Sequence, residues 1–115
     1  MQAIQSMDQK DWFKRTQMEV YLLACKNGFW DDPNPNIGEK IALIHSELSE
    51  ALEGIRAGHG PDMHCPEFTN VEIEMADAVI RIMDLCEHQG WRLQDAIKAK
   101  HAYNLTRPFK HGKKF

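Results

Sequence analysis

The stretch VEIEMADAVIRIMDLCEHQ, residues 71–89, decides the fold because its apolar residues recur with the period of an α-helix. At 100° per residue they build one broad apolar face, which consists of Val71, Met75, Ala78, Val79, Ile82, Leu85 and Cys86. Ile73, Ile80 and Met83 lie on other sides of the same helix. A helix that is apolar on several sides needs several packing partners. The stretch therefore predicts an all-α fold, and we expect oligomerisation to complete it.

Turn formers divide the rest of the chain into three more helical segments. The predicted helices are 8–27, 38–57, 71–89 and 93–105. Gly28 and Gly90 are suited to end the first and third helices, and Pro108 stops the fourth. Asn70 is a good N-cap for the third helix. The segments 29–36 and 59–69 are rich in Pro, Gly, Asp and Asn and are predicted loops. The result is a four-helix bundle with no predicted strand.

Size and composition indicate one globular domain that spans residues 1–115. The chain is 43% hydrophobic and 27% charged, with a formal net charge of −3. That balance gives no general attraction to nucleic acid or to an anionic membrane. The last nine residues are nevertheless basic, through Arg107, Lys110, His111, Lys113 and Lys114. A short nucleic-acid-binding tail is therefore kept as an alternative.

Location is predicted from what the sequence lacks. No apolar run reaches the ~18–20 residues of a membrane span. The opening MQAIQSMDQKDWF does not have the charged-then-apolar order of a signal peptide. The three cysteines are an odd number without metal-type spacing. We therefore expect a cytoplasmic protein with reduced thiols and no membrane partner.

Two pairs of acids stand out on the second and third helices. Glu47 and Glu50 lie to one side of the apolar stripe of the second helix, and Glu74 and Asp77 have nearly the same offset on the third. The stripe of the second helix consists of Ile41, Ile44, Leu48, Leu52 and Ile55. If the two helices pack antiparallel, all four acids meet in one cleft. Two like charges at 4 Å repel by ~4 kcal/mol at a dielectric of 20. Convergence therefore predicts a divalent cation, and oxygen ligands favour Mg²⁺ or Mn²⁺ over Zn²⁺.

A simpler interpretation of the same pattern stays open. On the third helix, Glu74, Asp77, Arg81, Asp84 and His88 follow one another along a single side. Such a row is typical of a solvated face laced with ion pairs. A di-iron site is not supported, because that site needs Glu-x-x-His pairs and the chain has none.

A second cluster of functional residue types lies on and just after the fourth helix. Lys100, Asn104 and Arg107 follow at i, i+4 and i+7 and so share one face. Two cations and an amide arranged in this way suit a polyanion such as phosphate. Favourable placement of basic groups near a helix C-terminus is the alternative. In the first predicted loop, Trp30 is either a loop anchor or a platform on which a base stacks.

The order of these parts resembles the MazG-like all-α nucleoside triphosphate pyrophosphohydrolases. The resemblance rests on Glu47-Leu48-Ser49-Glu50, then Glu74-Met75-Ala76-Asp77, then the run from Lys100 through Asn104 to Arg107-Pro108 and the tail His111-Gly112-Lys113. It covers the chain from about Phe29 to the C-terminus. The family pattern begins with two adjacent Glu, whereas this chain has Ser46 at the first of them.

The resemblance implies an activity, a cofactor and an assembly. The activity is hydrolysis of a (deoxy)nucleoside triphosphate to a monophosphate and pyrophosphate, in cleaning of the nucleotide pool. Glu47, Glu50, Glu74 and Asp77 would hold Mg²⁺, with Mn²⁺ as a substitute, and Glu47 would be the base. Phosphates would bind Lys100, Asn104 and Arg107, and the nucleobase would lie near Trp30. The family also implies a homodimer or homotetramer. The alternative is a non-catalytic helical module that senses nucleotides or docks another protein, and the missing acid at Ser46 keeps this alternative open.

Overall fold

The computed structural model describes residues 11–115, and the regular structure in that range is helical. The elements are α1 (Trp12–Lys26), α2 (Ile37–Arg56), α3 (Asn70–Gln89), α4 (Leu93–Asn104) and a short 3₁₀ helix (Phe109–Gly112). The described residues contain no strand, only an isolated bridge between Pro61 and Thr69. The predicted all-α class with four helices is confirmed over this range. The predicted start of the first helix at Asp8 lies outside the described residues.

Helix α3 begins one residue earlier than predicted. The prediction that Asn70 is its N-cap is wrong, because Thr69 has that role and Asn70 is the first helical residue. The Thr69 hydroxyl accepts a hydrogen bond from the Glu72 amide at 3.2 Å, and the Glu72 carboxylate accepts one from the Thr69 amide at 3.2 Å. This reciprocal capping box satisfies two backbone donors, whereas a cap at Asn70 would satisfy one.

The predicted helix ends agree with the structure to within one residue. Gly28 and Gly90 follow α1 and α3 with φ of 86° and 71°, the left-handed conformation that a side chain disfavours. At the start of α2, the Asn36 side chain accepts a hydrogen bond from the Glu39 amide at 3.1 Å. Local sequence signals therefore place the helices correctly along the chain.

Helix α2 packs against α3 through a face that is mostly small or polar. Its buried residues are Glu47, Ala51 and Gly54, which follow at i, i+4 and i+7. At Gly54 a Cβ atom would lie 2.9 Å from Asn70 Nδ2 and 3.1 Å from Val71 Cγ2. The absence of a side chain thus lets the end of α2 approach the start of α3 closely. Since Glu47 meets Arg81 at the other end of this contact, the two helices are antiparallel.

The apolar stripe predicted for the second helix is not the face that contacts α3. Ile41, Leu48, Leu52 and Ile55 are 44–50% exposed. The most apolar side of a helix is ordinarily its packing side. In the described residues, α2 instead turns Glu47, Ala51 and Gly54 toward α3. Close approach at the two small residues and the ion pair of Glu47 fix this orientation. The stripe is left on the surface.

Helix α3 is central, since both α1 and α2 pack on it. Ala78, Met83, Leu85 and Cys86 of α3 are the greater part of the buried apolar core. Gln17 of α1 is buried and donates to Glu87 of α3 at 3.2 Å. The prediction that α3 has more than one packing partner is confirmed.

Helix α4 follows α3 after a short turn and packs only lightly on the other helices. Its ion pair with α1, between Lys14 Nζ and Asp95 Oδ1, is 4.0 Å long and half-exposed. Of the helices in residues 11–115, none is both long and apolar enough to cross a lipid bilayer.

Candidate metal centre

Three carboxylates from two helices converge in the groove between α2 and α3. One oxygen each of Glu47, Glu50 and Glu74 lie within 4.8 Å of one another. Glu47 is buried, Glu74 is half-buried and Glu50 is exposed, so the cluster opens to solvent on the Glu50 side. Antiparallel packing brings these residues together although Glu74 follows Glu50 by 24 positions and Glu47 by 27 in sequence. The predicted convergence is therefore present for three of the four acids.

The electrostatics at Glu74 show how crowded this cluster is. Burial, together with contacts to the Glu47 and Glu50 carboxylates, raises the pKa of Glu74 to about 7. Its Oε2 atom is buried and has no hydrogen-bond partner. An oxygen in that position is available to a proton or to a cation. The donor set, which consists of carboxylate oxygens alone, fits Mg²⁺ or Mn²⁺.

Asp77, the fourth predicted ligand, lies beside the group of three and not within it. Burial raises the pKa of Asp77, and the charges of Glu47, Asp62 and Glu50 raise it further, while Arg81 lowers it. The Asp77 carboxylate therefore shares the negative field of the cluster.

The structure adds Arg81, which the sequence pattern did not assign to the site. Its Nε donates to Glu47 Oε1 at 2.7 Å, and the pair links α3 to α2. Because Arg81 stands one turn after Asp77 and two turns after Glu74, its position on the acid face was readable from the sequence. Its partner was not, since that partner lies on another helix.

The polar side of α3 has intermediate exposure, so it is neither fully buried nor fully solvated. Intermediate exposure is shared by all five members of the row: Glu74, Asp77, Arg81, Asp84 and His88. Two members of the row make hydrogen bonds with other segments. Arg81 donates to Glu47 of α2, and Asp84 accepts from Trp30, which lies between α1 and α2. The row is therefore part of a contact between segments.

Ser46, where the MazG-like pattern has a Glu, lies on the outside of α2. His45 and Ser46 are both exposed. The Ser46 hydroxyl donates to the Leu43 carbonyl at 2.6 Å, so its hydrogen is held by its own helix.

Trp30 is held firmly against α3 as a loop anchor. Its ring stacks on His88 with centroids 3.7 Å apart, and its Nε1 donates to Asp84 Oδ1 at 2.8 Å. Lys40 Nζ lies 4.5 Å from the ring centroid and donates to the Phe29 carbonyl at 3.2 Å. A nucleobase therefore finds at most one face of Trp30 open, and the predicted stacking role stays a prediction.

The predicted phosphate-binding residues are separate from the acids. Lys100 Nζ and Arg107 Cζ lie 4.8 Å and 5.5 Å from the Tyr103 ring centroid. Asn104 has a buried Oδ1 without a partner and, with Lys100, lines an open groove along α4. Within residues 11–115, no hydrogen bond or ion pair joins these three side chains to the acid cluster. The structure thus brings three of the four acids together, but it does not bring the basic residues to them.

Known proteins provide no further guide to this site. Comparison with protein-family models, with curated proteins and with solved structures gave no match.

Proposed function

We propose that this protein hydrolyses (deoxy)nucleoside triphosphates to nucleoside monophosphates and pyrophosphate with the help of Mg²⁺, which Mn²⁺ can replace. The observation that carries the proposal is the convergence of Glu47, Glu50 and Glu74 with one buried, unpartnered oxygen. Like charges at this distance need a counter-charge, and a hard divalent cation matches the oxygen donors. Resemblance to the MazG-like family connects that cation to triphosphate chemistry.

The side chains of the cluster have defined roles in this proposal. Glu47, Glu50 and Glu74 hold the cation, with Asp77 as the fourth ligand. When bound, the cation neutralises triphosphate oxygens and makes a nearby water more acidic. Glu47 takes the proton of the attacking water, whose oxygen forms a bond to the α-phosphorus. The bond from the α-phosphorus to the α–β bridging oxygen breaks, and pyrophosphate leaves.

Lys100, Asn104 and Arg107 serve the leaving pyrophosphate in this proposal. Two cations and an amide can neutralise and orient the negative charge that develops there. Because α4 packs lightly on the other helices, these groups reach the acids by a movement of α4 or from a second copy of the chain. Trp30 anchors the loop beside the nucleobase position.

Assembly into a dimer or tetramer is part of the proposal. Ile41, Leu48 and Ile55 recur every seven residues along α2, and they are exposed together with Leu52. Such a seam is typical of a helix that pairs with another helix. Sedimentation velocity should show an oligomer for the wild type and a monomer for Leu48→Glu, with Leu105→Glu as the exposed control. A monomeric wild type at micromolar concentration contradicts the assembly.

The activity is tested by pyrophosphate release from a panel of canonical and damaged nucleoside triphosphates with Mg²⁺ or Mn²⁺. We expect turnover of at least one of them, and we expect Glu50→Gln and Asp77→Asn to abolish it. Both variants should retain the helical circular dichroism of the wild type. Glu53→Gln, a two-thirds exposed acid one turn after Glu50, is the matched control and should stay active. Absence of turnover on the whole panel defeats the proposal.

Two observations favour the alternative of a nucleotide-sensing module without catalysis. Arg81 already neutralises part of the cluster, and the Ser46 hydroxyl is bonded to its own helix. A site of this kind binds a nucleotide but lacks a free base. Calorimetry that shows nucleotide binding in a protein that releases no pyrophosphate identifies this function.

A further inference from the structure

Arg81 and Glu47 form the shortest of the four ion pairs in the described residues. The Glu47 side chain is 12% exposed, and that of Arg81 is 41% exposed. The buried member would be costly without a counter-charge. The other member can leave toward solvent without disturbing the core, since nearly half of its surface is already accessible.

We infer that Arg81 is an internal counter-cation that competes with the divalent cation for Glu47. This inference rests on the proposed metal site. The Arg81 guanidinium lies against Glu47 Oε1, and Glu47 is the carboxylate that the proposal gives to the cation and to the attacking water. The two positive groups repel each other at this carboxylate, so cation binding is expected to displace Arg81. The freed guanidinium then meets the triphosphate, for which its planar fork of donors is well suited.

Arg81 therefore couples the metal site to the substrate. Without the cation it screens the buried Glu47, and with the cation it becomes a group that positions phosphate. A purely structural ion pair leads to a different expectation, because its loss would leave cation affinity unchanged or reduced. The two roles differ in the sign of one measurable quantity, the change in cation affinity.

Isothermal titration of the nucleotide-free protein with Mg²⁺, and separately with Mn²⁺, measures that quantity. Arg81→Gln should bind either ion about tenfold more tightly than the wild type. One unit charge that opposes a divalent ion at about 5 Å in a solvent-like dielectric is worth roughly this factor. Arg56→Gln is the matched control, because Arg56 pairs with the exposed Glu53 on α2, and it should bind as the wild type does. Affinity that is unchanged or lower in Arg81→Gln overturns the inference.

A second measurement uses the wild type and does not depend on how the variant folds. The Nε–H resonance of Arg81 is expected to be protected from exchange in the metal-free protein, because this group donates at 2.7 Å. Titration with Mg²⁺ should shift that resonance and remove the protection. If the resonance stays unchanged at saturating Mg²⁺, the inference about Arg81 is overturned, whereas the proposed metal site is not. Absence of Mg²⁺ and Mn²⁺ binding in wild type and variant together overturns the metal site itself.

Discussion

Replacement of Glu74 by Gln should stabilise the metal-free protein at alkaline pH. The substitution keeps the size of the side chain and removes one of three carboxylates that lie within 4.8 Å of one another. Burial is the largest cause of the raised pKa of Glu74, and contacts with Glu47 and Glu50 follow. A neutral amide at this position has no charge to bury and no charge to repel Glu47 and Glu50. It can also donate a hydrogen bond to a neighbouring carboxylate.

The size of the effect follows from the pKa of Glu74, which rises from an ordinary 4.5 to about 7. At 1.36 kcal/mol per pH unit, the ionised form costs about 3 kcal/mol of folding free energy when the shift is realised in full. Glu74 is only half-buried, and solvent screening lowers the expectation to about 1–2 kcal/mol. This is a large fraction of the stability of an ordinary domain.

The sign of the pH dependence follows from linkage. Below pH 4.5 the Glu74 carboxyl is protonated in the folded and unfolded chains, and its ionisation costs nothing. Between pH 4.5 and about 7 the folded protein keeps a proton that the unfolded chain has lost, so its stability falls as the pH rises. Above pH 7 the full cost is present. The gain from Glu74→Gln should therefore be about 1–2 kcal/mol at pH 8 and a small part of that at pH 5.

Urea denaturation followed by circular dichroism, at pH 5 and pH 8 with a chelator present, measures these differences. Glu53→Gln removes the same charge from an exposed site on α2 and should change stability by less than about 0.5 kcal/mol at either pH. Addition of Mg²⁺ should stabilise the wild type more than Glu74→Gln. Equal stability of the wild type and Glu74→Gln at pH 8, or an equal gain at both pH values, refutes the reasoning.

Three further predictions concern the helix contacts and the thiols. Trp30→Phe removes the 2.8 Å hydrogen bond to Asp84 and should lower the free energy of unfolding by about 1 kcal/mol in urea titrations. Thr69→Ala removes the capping box of α3 and should cost about 1 kcal/mol, measured in the same way. In the folded protein, mass spectrometry should find that iodoacetamide modifies the exposed Cys65 well before Cys86, because burial shields the Cys86 thiol and raises its pKa.

Matched variants separate these effects from general ones. Trp91→Phe changes an indole that is 48% exposed and should leave stability nearly unchanged. Thr106→Ala removes an exposed hydroxyl that follows α4 and donates to the Tyr103 carbonyl of its last turn, and it should cost much less than Thr69→Ala. If either control loses as much stability as its partner, the loss does not come from the named contact. Modification of Cys65 and Cys86 at equal rates in the folded state contradicts the burial of Cys86.

Helix positions follow from local signals, and so they were predictable from the sequence. The period of apolar residues in α3, the Asn36 cap and the glycines that end α1 and α3 act over a few neighbouring positions. Even the one misplaced cap, at Asn70, was an error of a single residue, because Thr69 and Glu72 complete a motif that the prediction overlooked. The offset of Glu47 and Glu50 relative to their apolar stripe was likewise a local property.

Only the tertiary structure decided which face of each helix meets which neighbour. A helical wheel gives the angle between Glu47 and the stripe of α2, but it does not tell which of them faces α3. Ala51 and Gly54 allow close approach there, and Arg81 supplies the counter-charge that makes burial of Glu47 tolerable. Contacts between distant positions depend on how all surfaces fit together, and no single segment encodes that fit. For this reason the sequence predicted an acid cluster between α2 and α3, whereas its Arg81 partner and the exposed stripe of α2 emerged only from the folded chain.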